Sequence, residues 1–131
     1  MQTQTRGSVL LAVESPAKGV RLIRVAGDLD GAATPRITAL TDALLRRITE
    51  EKPTRGGRYL LIDLSCVSSF GPGGAETLLT VRDQAALSGV QVLLTGISGR
   101  QWLLPGQVVN VLMRISSFPT VECALRNLGV A

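Results

Sequence analysis

The sequence predicts an α/β sandwich: a mixed sheet of four to five strands, with about four helices packed mainly on one face. Three observations carry this reading. After an opening pair of strands, strand-like and helix-like segments alternate along the chain. Tyr59–Leu64, Y-L-L-I-D-L, is a near-continuous apolar strand after a helix, as expected of a parallel strand covered on both faces. Gly and Pro punctuate the boundaries between segments. The chain has 131 residues, the size of one domain. The expected organisation is a flexible polar N-terminus over 1–8 and a single domain over 9–131.

The elements follow in order. Val9–Val13 is a short apolar run, and Pro16 and Gly19 mark a turn. Val20–Ala26, V-R-L-I-R-V-A, reads as a strand that pairs back on the first run as a hairpin. Gly27-Asp28-Leu29-Asp30-Gly31 is expected as a loop. Thr34 then reads as an N-cap, with Pro35 at the first helical position. That helix runs to about Glu51, with Ile37, Leu40, Leu44 and Ile48 on its apolar face, and Lys52–Gly57 ends it. After the Tyr59–Leu64 strand, Ser65–Gly74 is expected as a connection. A second helix covers about Ala75–Leu87 with Leu78, Leu79, Val81 and Ala85 inward, and Gly89 turns the chain into the strand Val90–Thr95. Arg100–Leu104 begins a third helix that Pro105-Gly106 interrupts. Gln107–Ile115 is apolar, with helix and strand both open. Thr120 caps a last helix, Val121–Leu128.

Composition excludes several functions. Hydrophobic residues are 45% of the chain, which is globular, whereas aromatics are 3%, too few for a base-stacking platform. The net charge is +4, but the basic residues are scattered, with only Arg46–Arg47 adjacent among the arginines. No nucleic-acid or membrane-surface footprint is expected from that spread. The chain has no histidine, which removes the commonest general base and metal ligand. Cys66 and Cys123 are too few and too far apart for a disulfide framework or a zinc motif, and fit a reducing cytosol. A redox pair between them is a further reading, with buried reduced thiols the expected state. Met1–Ser8 is polar and precedes no cleavable apolar core. The longest apolar runs are strand-sized, well short of a membrane span. The chain therefore reads as cytoplasmic. Asp28, Asp30, Asp63 and Glu76 are carboxylates that folding can gather, but no spacing marks a catalytic pair. Neither a phosphate-binding loop nor a nucleophile elbow is present. No catalytic residue, metal or cofactor is expected, and the protein is read as non-enzymatic.

The most unusual local feature is F-G-P-G-G, Phe70–Gly74, between a buried strand and a helix. Gly71, Gly73 and Gly74 open backbone angles closed to other residues, and Pro72 fixes one. A tight structural turn, a partner-contact surface and an anion site on free helix-start amides are all compatible with it. The partner-contact reading takes in Ser68, Ser69, Phe70, Gly71, Pro72, Gly73 and Gly74, with Glu76 and Thr77 on the following helix. Asp28 and Asp30, in the preceding connection, belong to the same partner-contact reading, with capping or bracing of the loop as the alternative. Trp102, the single tryptophan, is expected as a core or edge filler.

Four segments resemble the STAS family. V-R-L-I-R-V-A-G-D-L-D (Val20–Asp30) is similar to its second strand, and Pro35 opens the next helix as is common there. Y-L-L-I-D-L-S-C-V (Tyr59–Val67) is similar to its buried strand, G-G-A-E-T-L-L (Gly73–Leu79) to the start of its second helix, and F-P-T-V-E-C-A-L (Phe118–Leu125) to its tail. The segments span about residues 8–129. The resemblance implies a STAS-type sandwich of the anti-sigma factor antagonist kind. Such a protein binds an anti-sigma factor, a kinase-like ATPase, and so releases a sigma factor. It implies no nucleic-acid contact, with weak homodimerisation as a further association. A scaffold subunit of a transport or stressosome-like assembly, and a small-molecule or nucleotide sensor, are the alternatives within the same family.

The sequence departs from the family at the loop. The family's D-S-S-G or D-S/T-x-G carries a phosphorylated serine or threonine just before the glycine. Aligned on Asp63-Leu64-Ser65, the family's Asp falls at Gly71, its next residue at Pro72 and the phosphoacceptor at Gly73, with Gly74 retained. Phosphorylation adds about two negative charges and in the family switches partner binding off. Gly73 has no hydroxyl to receive it. Ser68, Ser69 and Thr77 are the nearby hydroxyls, with ordinary polar roles expected for each.

Overall fold

A computed structural model describes residues 9–53 and 56–130. The expected flexible terminus, and Thr54–Arg55 of the first loop, lie outside the described residues. Five strands form one sheet in the order β1-β2-β3-β4-β5. They are β1 (Val9–Ala17), β2 (Val20–Leu29), β3 (Arg58–Phe70), β4 (Val90–Thr95) and β5 (Ser117–Phe118). The hairpin β1–β2 is antiparallel, and every later pairing is parallel. Four helices complete the fold: α1 (Thr34–Glu50), α2 (Gly74–Ala86), α3 (Gly106–Leu112) and α4 (Val121–Asn127).

Period-two alternation explains why the central strands read as continuous apolar runs. On β3, Leu60, Ile62 and Leu64 point into a core with Ile37 and Ile48 of α1, Leu78 and Val81 of α2 and Leu112 of α3. Tyr59 and Leu61 point the other way, with Leu22 and Leu93, against Val121, Ala124 and Leu128 at α4. Both faces of the middle of the sheet are covered, three helices on one side and one on the other. Arg21 and Glu51 tie the start of β2 to the end of α1. The guanidinium donates to both carboxylate oxygens at 2.9 and 2.6 Å, and the Gly19 N–H adds a third bond at 2.8 Å.

Several expectations are corrected. β2 does not end at Ala26, nor β3 at Leu64. Their C-terminal halves pair with one another, Ala26 with Cys66, Gly27 with Val67, Asp28 with Ser69 and Leu29 with Phe70, through two register shifts. The polar S-C-V-S-S stretch is therefore strand, and its Ser65, Cys66, Ser68 and Ser69 are exposed. Thr34 lies inside α1 rather than capping it. Asp30 caps the preceding 3-10 turn instead, accepting the Ala32 N–H at 2.9 Å. Gln107–Leu112 of the ambiguous stretch is helix, in α3, which begins just after Pro105 and ends before Met113, and only Gln101–Leu103 of the preceding segment coils, as a 3-10 turn. Trp102 fills neither core nor edge; it is 80% exposed. Cys66 is exposed and Cys123 half-buried, and both thiols are free, so the expected burial fails for Cys66 and no disulfide joins them. Thr120 caps α4 as expected, accepting the Cys123 N–H at 3.0 Å.

Candidate functional site

The long halves of β2 and β3 bring two connections together at one end of the sheet. One is Asp30–Ala33, between β2 and α1; the other is Gly71–Gly73, between β3 and α2. Main-chain bonds lock them. The Gly71 N–H donates to Leu29 C=O and the Gly31 N–H to Pro72 C=O, both at 2.8 Å, while the Gly74 N–H closes on Gly71 C=O at 3.0 Å.

Two glycines are required by this geometry. Gly73 has φ +79°, in the left-handed region, and precedes the first residue of α2. At Gly74 a Cβ would lie 2.1 Å from the Leu29 carbonyl oxygen. The start of α2 is thus pressed against the end of β2, closer than any side chain allows.

Side chains add a second layer. The Ser69 hydroxyl donates to Asp28 across the strand pair at 2.7 Å. The Thr77 hydroxyl donates to Gly73 C=O at 2.9 Å, so its oxygen accepts a hydrogen bond from the Thr34 hydroxyl at 2.6 Å. Thr77 is 2% exposed. It pins α2 to α1 and is not offered to a partner, which corrects the sequence expectation. Gly74 is buried too, and Phe70 and Gly71 are half-buried. Asp28, Ser68, Ser69, Pro72, Gly73 and Glu76 are exposed. The sequence-derived site is therefore brought together at one end, but as an exposed rim over a locked base.

The carboxylates do not gather. Asp28 faces Ser69 and Asp30 the 3-10 turn. Asp63 is buried on the sheet, accepting from Thr95 at 2.7 Å and Ser65 at 2.6 Å, with Arg24 at 3.5 Å. Among the described residues no group of three or more His, Cys, Asp or Glu side chains forms a metal set, and no helix is long and apolar enough to cross a membrane.

One wall of the site was not legible in the sequence. A groove of about 210 Å³ separates Phe70–Gly73 and Glu76 from Pro105, Gln107 and Val108 at the start of α3. The segment leading there is held by Arg100. Its guanidinium donates to the Leu64 carbonyl at 2.8 Å and to that of Val67, beyond the last β3–β4 pair, Asp63 with Thr95. An arginine takes the place of a strand along that edge. No sequence pattern assigns those carbonyls to Arg100.

The STAS domain family model matches residues 15–101. No curated protein sequence matches the chain. Solved structures share the fold. An anti-sigma factor antagonist from Mycobacterium paratuberculosis superposes with a TM-score of 0.65 at 21% identity, over 97% of this chain and 99% of that one. The anti-sigma factor antagonist SpoIIAA in its unphosphorylated form gives 0.59 at 16% identity, over 90% and 96%. A variant of RsbS from Moorella thermoacetica gives 0.59 at 19% identity, over 95% and 96%.

Proposed function

The chain belongs to the STAS domain family, and from that premise we propose that it is a non-enzymatic regulator. It acts as an anti-sigma factor antagonist, binding an anti-sigma factor of the kinase-like ATPase class and so releasing a sigma factor. One observation carries this reading. The exposed rim formed by Asp28, Ser68, Ser69, Pro72, Gly73 and Glu76 stands on a base locked by main-chain hydrogen bonds and by the Thr34–Thr77 pair. A rim that is fixed before binding loses little freedom when a partner docks, so more of the contact energy appears as affinity.

Gly73 stands at the family's phosphoacceptor position without a hydroxyl. The usual off-switch is therefore missing while the surface it would control is retained. The antagonist is active without dephosphorylation.

Affinity capture with the tagged full chain tests this. Wild-type protein should recover an ATPase-type anti-sigma protein, and Glu76→Arg, on the exposed rim, should lose it. Equal recovery by both means that the rim is not the interface. With the captured partner and labelled ATP, no phosphate should be transferred to this chain. Label at Ser68 or Ser69 would overturn the unmodified state proposed here.

A further inference from the structure

The chain has one tryptophan, and it lies outside the core. Trp102 is 80% exposed and Leu103 beside it 65%. With aromatics so scarce, the largest apolar side chain available is held in water.

The turn that carries it is firmly seated. Two residues before the indole, the Arg100 guanidinium reaches the carbonyls of Leu64 and Val67, with longer bonds of 3.4 Å to Ser65 and Gly96. Within the turn, the Leu103 N–H closes on Arg100 C=O at 2.9 Å and the Arg100 N–H on Ile97 C=O at 3.0 Å. Three residues after the indole, Pro105 lines the groove opposite Phe70–Gly73. Trp102 is thus tethered on one side to the strand that feeds the loop and on the other to the groove that borders it. Tryptophan is prominent among residues that dominate interface energy, and pre-fixing its backbone reduces the ordering needed on binding. The exposed ionised groups on the neighbouring rim, Asp28 and Glu76, are acidic.

We propose that Trp102, supported by Leu103, is the apolar anchor of the partner surface. The partner it fits is a protein face with an apolar cleft for the indole, beside basic groups that meet Asp28 and Glu76. This rests on the loop end being the partner surface, and extends that surface across the groove to a turn far along the chain.

The single indole is its own reporter. The full chain, labelled with fluorotryptophan, gives one fluorine NMR resonance, to be titrated with the captured anti-sigma protein. The resonance should shift or broaden on binding. Trp102→Ala should weaken binding by about thirtyfold or more, with Trp102→Phe intermediate. Because the side chain is exposed, Trp102→Ala should unfold at the wild-type temperature. If it does not, Leu103→Lys replaces it as the affinity test, with the same thirtyfold threshold. An unmoved resonance and unchanged Trp102→Ala affinity, while Glu76→Arg still loses the partner, overturn the anchor and leave the proposed function standing. Loss of neither interaction in the Glu76→Arg and Trp102→Ala variants, or recovery of no anti-sigma protein, overturns both.

Discussion

Placing a serine at position 73, where the proposed alignment puts the family's phosphoacceptor, should destabilise this domain. In Gly73→Ser the new residue must adopt φ +79°, which for an L-residue costs about 1–2 kcal/mol. Its Cβ would also stand 3.1 Å from the Gly31 Cα, inside the usual carbon–carbon separation of about 3.5–4.0 Å. Gly31 has little room to retreat, because its N–H holds Pro72 C=O at 2.8 Å, and weakening that bond costs about 1 kcal/mol. The sum is about 2–3 kcal/mol. Unfolding entropy near 2.1 cal/mol/K per residue gives about 0.28 kcal/mol/K for 131 residues, and so a fall in Tm of about 7–11 °C. Thermal unfolding followed by circular dichroism reads this directly, with Gly73→Ala as the companion variant, because the strain belongs to the Cβ and not to the hydroxyl. A Tm for Gly73→Ser within about 2 °C of wild type would refute the argument that the loop is closed to side chains.

Three other outcomes follow from the same geometry. Gly74→Ala should be the more damaging neighbour, since its Cβ would meet backbone at 2.1 Å; loss of about 3 kcal/mol or more is expected, and a urea midpoint unchanged from wild type would contradict it. The Glu51 carboxyl is held down at about 2, from 4.5, first by the Arg21 guanidinium and then by the Gly19 N–H. A depressed carboxyl stabilises the fold above its unfolded value and loses that contribution as pH falls through the folded one. The stability gap between wild type and Glu51→Gln should therefore be full above about pH 4.5 and vanish near pH 2; a gap independent of pH would exclude the Arg21–Glu51 clamp as its source. Cys66, exposed on β3, should react with a thiol reagent in the native state well before Cys123, and equal rates would place Cys66 wrongly.

Much of the fold was legible because the middle of the sheet follows simple rules. Tyr59–Leu64 is apolar on both faces because helices cover both. The second half of β3 escaped notice for the same reason in reverse. Ser65, Cys66, Ser68 and Ser69 are exposed there, so the stretch has the composition of a loop while its main chain pairs with Ala26–Leu29. Thr77 joins the partner surface in the sequence because it follows the glycine loop directly. Its burial depends on Thr34, 43 residues earlier, which no local pattern reveals. α3 stayed ambiguous because Val108 and Leu112 face inward while Met113, next in sequence, is exposed, a short and incomplete stripe. The candidate loop itself was found by its glycines, since a cluster of three between strand and helix marks close approach of backbone. What it approaches, the end of β2, is a tertiary fact.

Under the proposed alignment, both departures from the family loop face that one approach. Position 71 would carry the family's carboxylate and position 73 its hydroxyl. A Cβ on Gly71 would lie 3.0 Å from the Asp30 Cβ, and one on Gly73 would lie 3.1 Å from the Gly31 Cα. Both glycines therefore face the same neighbour, the Asp30–Gly31 connection, which is held in place by Gly31 N–H to Pro72 C=O and by Asp30 capping Ala32. A side chain at either position requires that connection to give by a few tenths of an ångström. Reinstating both side chains requires the β2–α1 connection to draw back from the loop, against the Gly31–Pro72 bond. On the proposed alignment, one structural feature, the tight closure of two loops, accounts for the absence of both the hydroxyl and the carboxylate. That closure leaves the exposed rim in a fixed shape.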